Sequence, residues 1–164
     1  MEEEHYYEEP SWKKHVPTIL SIVLIVLIVT YIVSSGISYR IVSLVNSYPL
    51  DNGEFRVANE TIRFDESIVA QLQSDYVDDY GDEEVWCLTG EGNLINSVFY
   101  PVIKDKDVVH VTYEGCPGET LVVAHSHPFY DCRPSEQDWA SFKASKSPFM
   151  GIMCGKNRIA LFGR

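Results

Sequence analysis

The sequence predicts an α+β domain, a mixed β-sheet flanked by helices, preceded by one transmembrane helix. Two patterns indicate this class: a long apolar segment near the N-terminus, and helical and strand-like periodicities that alternate along the rest of the chain. Length agrees with it, because the 125 residues after the apolar segment are enough for one compact domain with a single core.

The apolar segment runs from residue 16 to residue 39 and contains no charged side chain. It is longer than the roughly 20 residues that a helix needs to cross a bilayer. A cleaved signal peptide has an apolar region of only about 7 to 15 residues, so we favour an uncleaved anchor, with cleavage as the alternative. Lys13 and Lys14 precede the segment and only Arg40 follows closely, which slightly favours a domain outside the cytoplasm; a cytoplasmic-facing domain is the alternative.

We divide the chain into an acidic N-terminal tail (1–15), the transmembrane helix (16–39), a juxtamembrane segment and linker (40–64) and a folded domain (65–164). From residue 51 onward there are 19 acidic and 10 basic residues. Nucleic acid is therefore not an expected partner, because it binds basic surfaces. The expected partners are a protein substrate and, through residues 16–39, the lipid bilayer; the acidity can also serve only solubility.

The elements of the domain are predicted in chain order from periodicity and turn residues. Residues 41–48 extend the anchor helix until residues 49–53 break it, and residues 54–64 alternate like short strands. A helix over 65–80 follows, because its apolar residues have helical spacing behind an acidic start. The remaining predictions are strands at 85–89, 97–103 and 108–113, a strand that ends at residue 125, a helix at 135–145, and a hairpin of strands 149–154 and 158–162.

Two histidines, a serine and an aspartate stand at fixed offsets after the predicted strand. His125 and His127 point to the same face because alternate residues of a strand do so, and seven residues separate His127 from Ser135. Asp138 falls on the first turn of a helix that begins near Ser135. Two imidazoles and a carboxylate are ligands that Zn²⁺ takes, with the fourth position left for water. The pattern predicts one zinc ion bound by His125, His127 and Asp138; taken alone, paired histidines are more often ordinary hydrogen-bonded groups.

These residues resemble the motif of the JAMM (MPN-plus) zinc metalloproteases, and most closely that of the archaeal members. The resemblance rests on His-Ser-His-Pro followed by Cys-Arg-Pro-Ser-Glu-Gln-Asp-Trp, and it covers about residues 66–164. It implies an MPN/JAMM-type fold, which is cytidine-deaminase-like. It also implies an isopeptidase or peptidase that removes ubiquitin, ubiquitin-like or sulfur-carrier proteins from their conjugates.

The family also has a glutamate seven residues before a glycine, at the start of an earlier strand. The resemblance places this residue at Glu83, ahead of Gly90, with Glu84 as the competing register and Glu91 as a third choice. Trp86 stands where the family usually has a small residue, a departure that could crowd the site.

The resemblance also implies catalytic roles for two residues. Glu83 is the general base that takes a proton from the zinc-activated water, and the Ser135 hydroxyl donates to the oxyanion of the intermediate. Without the resemblance, Glu83 would be an ordinary solvated acid, and Ser135 would be a helix N-cap.

The four cysteines contain no C-x-x-C pair, so they do not indicate a second zinc site. Similar archaeal proteins have cysteines at positions like those of Cys132 and Cys154. A bridge between these two would brace the loop that carries the ligands; two reduced thiols are the alternative. Cys87 is predicted to pack in the core.

The sequence leaves three functional hypotheses. The first is a membrane-anchored zinc isopeptidase or peptidase that acts at the C-terminal tail of a ubiquitin-like or sulfur-carrier protein. A zinc peptidase for an envelope or secreted substrate follows if the domain lies outside, and a non-catalytic MPN-type scaffold is the third. Catalysis is favoured because every ligand position is filled, whereas scaffold versions typically lack these residues.

Overall fold

The computed structural model describes residues 11–34, 37–77, 82–107 and 110–164. The chain forms two compact units that divide between Ser38 and Tyr39. Most of the predicted acidic tail, residues 1–10, lies outside the described residues. Residues 11–14 form a short 3₁₀ helix that ends in two lysines.

In the part of the first unit that the structure describes, one long apolar helix is present, α1 (Val16–Ser34), and none of its residues is buried. At 1.5 Å per residue its length is about 28 Å, close to the ~30 Å of a bilayer's hydrocarbon core. By length and composition it can therefore span a membrane. The predicted span ran on to residue 39, but Ile37 already begins a second helix, and residues 35 and 36 lie outside the described residues.

Among its described residues, the second unit is built on an eight-stranded mixed sheet. Its helices are α2 (Ile37–Asn46), most of which belongs to this unit, α3 (Glu66–Asp75) and α4 (Glu136–Ala144). Its strands are β1 (Tyr48–Pro49), β2 (Glu54–Val57), β3 (Glu60–Phe64), β4 (Val85–Glu91), β5 (Leu94–Phe99), β6 (Ile103–Asp107), β7 (His110–Tyr113), β8 (Thr120–Ser126), β9 (Phe149–Gly155) and β10 (Arg158–Gly163). The strand order is β1-β10-β9-β8-β4-β5-β3-β2, and β6 and β7 form a separate hairpin.

The centre of the sheet is β8, which pairs with β4 in antiparallel and with β9 in parallel orientation. A parallel pair requires a crossover connection, and α4 supplies it between β8 and β9. The carboxyl end of β8 and the N-terminus of α4 are therefore joined by a short loop, which is where the histidines and Asp138 lie. On the two central strands, Val122, Val123 and Ala124 of β8 and four residues of β4 are buried (Val85, Trp86, Cys87 and Leu88).

The main core lies between the sheet and α3. Apolar side chains of α3, Ile68 and Leu72, pack in one cluster with Trp86, Leu88 and Ala124 of the central strands. The N-terminus of α3 is capped by Asp65, whose carboxylate accepts a hydrogen bond from the Ser67 amide. This packing confirms the predicted α+β class with a mixed sheet flanked by helices.

Several predicted boundaries differ from the structure. Residues 40–64, predicted as a linker, contribute most of α2 and strands β1–β3 to the second unit. The helix predicted over 65–80 ends at Asp75, and residues 78–81 lie outside the described residues. The strand predicted at 97–103 starts earlier, after the turn at Gly92 (φ +58°), and ends before Pro101, which lacks the amide proton for further pairing. The charged segment 103–107 forms β6, which the sequence did not predict.

Candidate metal centre

Strand alternation and a helix cap position the three predicted ligands. His125 is the penultimate residue of β8, and the His127 amide extends the pairing by donating to the Met153 carbonyl of β9 at 2.7 Å. Both imidazoles therefore point to the same face of the sheet. Asp138 is the third residue of α4, where its carboxylate turns back toward the start of the helix. The structure brings all three side chains together.

The distances between the donor atoms suit a small divalent ion. The Nε2 atoms of His125 and His127 lie 3.0 Å apart. Asp138 Oδ1 lies 3.1 Å from His125 Nε2, and Asp138 Oδ2 lies 3.3 Å from His127 Nε2. Tetrahedral ligands at zinc's bond length of about 2.0–2.1 Å are separated by about 3.3 Å. The spacing and the chemistry of the donors thus fit a zinc ion, and His125, His127 and Asp138 form a candidate metal site.

A hydrogen bond to the backbone fixes the orientation of the His127 ring. Its Nδ1 lies 3.0 Å from the backbone carbonyl oxygen of Asp131, which can only accept a hydrogen bond, so Nδ1 carries the proton. In the neutral ring the lone pair is then on Nε2, the atom that faces His125 and Asp138. A hydrogen bond of this kind is the usual means by which a protein selects the tautomer of a metal-binding histidine.

The electrostatics of the site keep its carboxylate ionised. Burial alone would raise the pKa of Asp138, but the hydrogen bonds from the two histidines hold it well below its ordinary value. Burial lowers the pKa of His125. Burial opposes protonation of His127 as well, but the hydrogen bond and charge of Asp138 raise its pKa above the usual value. The ionised Asp138 and a neutral His125 are in the states that bind a metal, whereas a metal ion would have to displace the proton that Asp138 favours on His127.

Glu83 lies at the edge of this cluster, just before β4. Its side chain is buried, with 6% of the residue exposed, and its Oε1 lies 3.9 Å from Nε2 of His127. Burial raises the pKa of Glu83 from 4.5 to about 7, against the opposing charge of His127. A carboxyl that titrates near neutral pH can both take up and release a proton there.

The two competing glutamates occupy other places. Glu84 points away from the cluster and forms an ion pair with Lys106 at 2.5 Å. Glu91 is exposed at the far end of β4. The register is set by the backbone at residue 84, because the Glu84 amide donates to the Ser126 hydroxyl and its carbonyl accepts from the Ser126 amide. The geometry thus places Glu83, and neither alternative, beside the candidate ligands; its role as a base stays a prediction.

Ser135 is the N-cap of α4, the helix that carries Asp138. Its hydroxyl oxygen accepts a hydrogen bond from the Asp138 amide at 3.1 Å, and the Ser135 amide donates to Asp138 Oδ2 at 2.6 Å. This reciprocal capping box fixes the carboxylate toward the histidines. A hydroxyl that accepts through its oxygen still has its own proton to donate, so the capping role and the predicted oxyanion role are compatible.

An open cavity of about 230 Å³ joins these groups. Glu83, His125, His127, Ser135 and Asp138 line it, together with Tyr113 and Phe129 among others. Trp86 does not line it: the residue is paired with Ala124, is fully buried in the core beside α3, and donates from Nε1 to Asp75. Because it faces the opposite side of the sheet, the expected crowding of the site by Trp86 is wrong.

Two disulfides brace the surroundings of the site. Cys132 is bonded to Cys154, which ties the ligand loop to β9 as the resemblance implied. Cys87 is bonded to Cys116, so the expectation that Cys87 packs only as a core thiol is wrong. The chain between His127 and Cys132 also includes two residues with left-handed backbone, Phe129 (φ +61°) and Tyr130 (φ +58°).

Three supporting residues were not found by the sequence reasoning. Tyr76, at the end of α3, donates from its hydroxyl to the His127 carbonyl at 3.0 Å. Ser126 positions residue 84, and the Asp131 carbonyl orients His127. Ser126 could have been found from its place between two inward-facing histidines. A backbone carbonyl such as that of Asp131 has no sequence signal.

Comparisons with known proteins give structural similarities alone. No protein-family model and no curated protein matches the sequence. The fold is similar to that of a JAB1/MPN domain protein from Archaeoglobus fulgidus, with 17% identity and a TM-score of 0.44 over 62% of this chain and 86% of that protein. It is also similar to a structure described as JAMM, a metalloprotease-like zinc site in the proteasome and signalosome, with 18% identity and a TM-score of 0.44 over 63% and 87% of the two chains. At these values, neither similarity carries an argument about the activity, metal or substrate of this chain.

Proposed function

We propose that the second unit is a zinc-dependent hydrolase of amide bonds, an isopeptidase or peptidase of the JAMM type, held at a membrane by α1. The observation that carries this proposal is the convergence of His125, His127 and Asp138 on one cavity that also contains the buried carboxyl of Glu83. Zinc in such a site polarises a carbonyl group and makes water nucleophilic at neutral pH.

The chain's own residues would divide the remaining work. Glu83 would accept the proton of the attacking water and then donate it to the leaving nitrogen, a transfer that suits a carboxyl whose pKa is near 7. Ser135 would donate its hydroxyl proton to the developing oxyanion, from a helix cap that keeps its oxygen fixed. Attack by water requires no covalent bond between the substrate and a side chain.

The proposed substrate is the C-terminal tail of a ubiquitin-like or sulfur-carrier protein, joined to a second protein through an amide bond. The resemblance of the His-Ser-His-Pro and Ser-Glu-Gln-Asp segments to the JAMM motif supports this choice. The cavity is open to the exterior and not enclosed, so a polypeptide tail can enter it.

A zinc peptidase for an envelope or secreted substrate is the second candidate. All four cysteines are in disulfides, and disulfides persist mainly in oxidising compartments. Lys13 and Lys14 ahead of α1 also favour a domain outside the cytoplasm. Protease treatment of intact cells decides between the two locations, because a second unit outside the cytoplasm is digested there and a cytoplasmic one is protected.

Hydrolysis by the purified full-length protein in detergent tests the proposed function. We expect cleavage of an isopeptide-linked ubiquitin-like conjugate; for the second candidate, the substrate is an unfolded protein. In either case a chelator should stop the cleavage and added Zn²⁺ should restore it. Asp138→Asn should abolish it. A protein that binds zinc and cleaves neither substrate would instead be a non-catalytic scaffold, and chelator-resistant cleavage would contradict the zinc mechanism.

A further inference from the structure

The short helix α2 is packed with its polar side inward. Ser43, in the helix, and Ser47, just after its last residue, are 2% and 7% exposed, although both are polar. On the opposite side, Ile41, Leu44 and Val45 are 53%, 55% and 78% exposed, although all three are aliphatic. The spacing of these three places them on one face of the helix, which we call the outer face of α2. A surface helix of a soluble domain normally has the reverse arrangement.

Specific hydrogen bonds hold the polar side of α2 against the domain, so the exposure of the outer face does not come from a helix that is loosely packed. The Ser43 hydroxyl accepts from the Cys132 amide at 3.0 Å, and the Ser47 hydroxyl donates to the Ser43 carbonyl at 2.6 Å. The Arg158 guanidinium donates to the carbonyls of Leu44 and Ser47 at 2.8 Å each, which satisfies the end of the helix. These hydrogen bonds hold α2 in one rotation, with its aliphatic residues pointing away from the domain.

Chain connectivity restricts where that face can lie. Ser34 ends α1 and Ile37 begins α2, so three residue steps separate the helices. Three steps can span at most about 11 Å. If α1 crosses a bilayer, α2 therefore starts in or beside the headgroup layer, where an exposed aliphatic stripe has an apolar medium within reach.

The neighbours of the outer face also suit a lipid surface. The Arg40 guanidinium lies 5.8 Å from the ring centroid of Tyr130, and 45% of Tyr130 is exposed. Arginine and tyrosine are both favoured at the membrane interface, where a polar tip meets water and an apolar body meets acyl chains.

We propose that the outer face of α2 lies in the headgroup region of the bilayer that α1 spans and seats the second unit on the lipid surface. The loop that carries the ligands packs against α2, because the Cys132 amide donates to the Ser43 hydroxyl. In this arrangement that loop is held close to the membrane; the further step, that the protein acts on polypeptides at this surface, rests on the proposed function. The inference rests on α1 being a membrane span, and it does not depend on which side of the membrane the domain occupies.

Two quenchers applied to the full-length chain test the proposal. The Val45→Trp variant is placed in nanodiscs of phosphatidylcholine with brominated acyl chains, and its added fluorescence is measured against the unsubstituted chain. We expect bromine to quench this indole and aqueous iodide to leave it unaffected. Val102→Trp, at a residue that is 62% exposed outside α2, is the matched control and should show the reverse.

Three results would overturn the proposal. Quenching of the Val45→Trp indole by iodide and not by bromine would place the outer face in water. Shielding from both quenchers would mean that protein covers it, including a second copy of the chain. An Ile25→Trp indole, in the middle of α1, that bromine fails to quench would remove the membrane span itself. Zinc binding is measured separately and does not depend on where α2 lies, so failure of this proposal is distinguishable from failure of the proposed function.

Discussion

Replacing Glu83 with glutamine separates the proposed chemistry from the proposed metal site. The Glu83→Gln substitution keeps the size and the hydrogen-bonding capacity of the side chain, and it removes the group that accepts a proton. Since Glu83 lies 3.9 Å from His127 and contributes no atom to the three-residue ligand cluster, zinc binding should be retained. General acid–base catalysis contributes about 10²–10⁴-fold, so kcat should fall by that factor, which corresponds to about 3–5 kcal/mol of the activation barrier.

The matched control is Glu84→Gln, which changes the adjacent residue in the same way. Glu84 forms an ion pair with Lys106 outside the cavity, and its side chain is about one-third exposed. Such a pair contributes about 0.2–1 kcal/mol to stability, and its loss should leave kcat within about twofold of the original value. Zinc content by atomic spectroscopy and initial rates on one conjugate would be measured for both variants. A rate lost in Glu84→Gln and kept in Glu83→Gln would refute the assignment.

Three further predictions concern stability and bracing. In the metal-free protein, folded Glu83 keeps its proton up to a pKa of about 7, whereas the unfolded chain loses it near 4.5; the unfolding free energy should therefore fall by roughly 3 kcal/mol as the pH rises from 4.5 to above 7, relative to Glu83→Gln. Denaturant titrations of both proteins at several pH values check this, and parallel pH profiles would contradict it. A Cβ on Gly90, at the bulge of β4, would overlap the Leu94 carbonyl. Gly90→Ala should therefore lower the free energy of unfolding, measured by thermal denaturation, by about 1–3 kcal/mol. Gly115→Ala places its Cβ in open space and should leave that free energy unchanged. The double variants Cys132→Ser/Cys154→Ser and Cys87→Ser/Cys116→Ser should each lose about 3 kcal/mol, but the first alone should weaken zinc binding, because its bridge holds the loop of His127; equal zinc affinities in the two would show that the loop needs no brace.

The convergence of the three candidate ligands could be predicted from the sequence because their geometry is local. His125 and His127 are placed by strand alternation, and Asp138 by the first turn of a helix whose capping residues can be read directly from Ser135. Strand, loop and helix form one crossover unit, so short-range rules were enough to bring three side chains within 3.3 Å of one another. The assignment of Glu83 over Glu84 came from resemblance, since alternation alone cannot choose which of two adjacent acids faces inward.

Long-range contacts account for what the sequence did not predict. The side of the sheet that Trp86 faces depends on its pairing with Ala124, and the disulfide partner of Cys87 lies 29 residues away. The segment 40–64 looks like a linker because its strands are short, yet β3 joins the sheet by pairing with β5, 31 residues later in the chain. The inverted packing of α2 was equally hidden, because the buried Ser43 and Ser47 have partners on the ligand loop and on β10.

The zinc content of the full-length protein tests the central claim most directly. A fragment that begins at residue 51 would lack α2, so the whole chain in detergent is the appropriate sample. We predict about one zinc per folded chain, abolished in His125→Ala/His127→Ala and unchanged in His15→Ala, which removes a histidine outside the site. A folded protein that binds no zinc, or one that keeps its zinc in the double variant, would contradict the account.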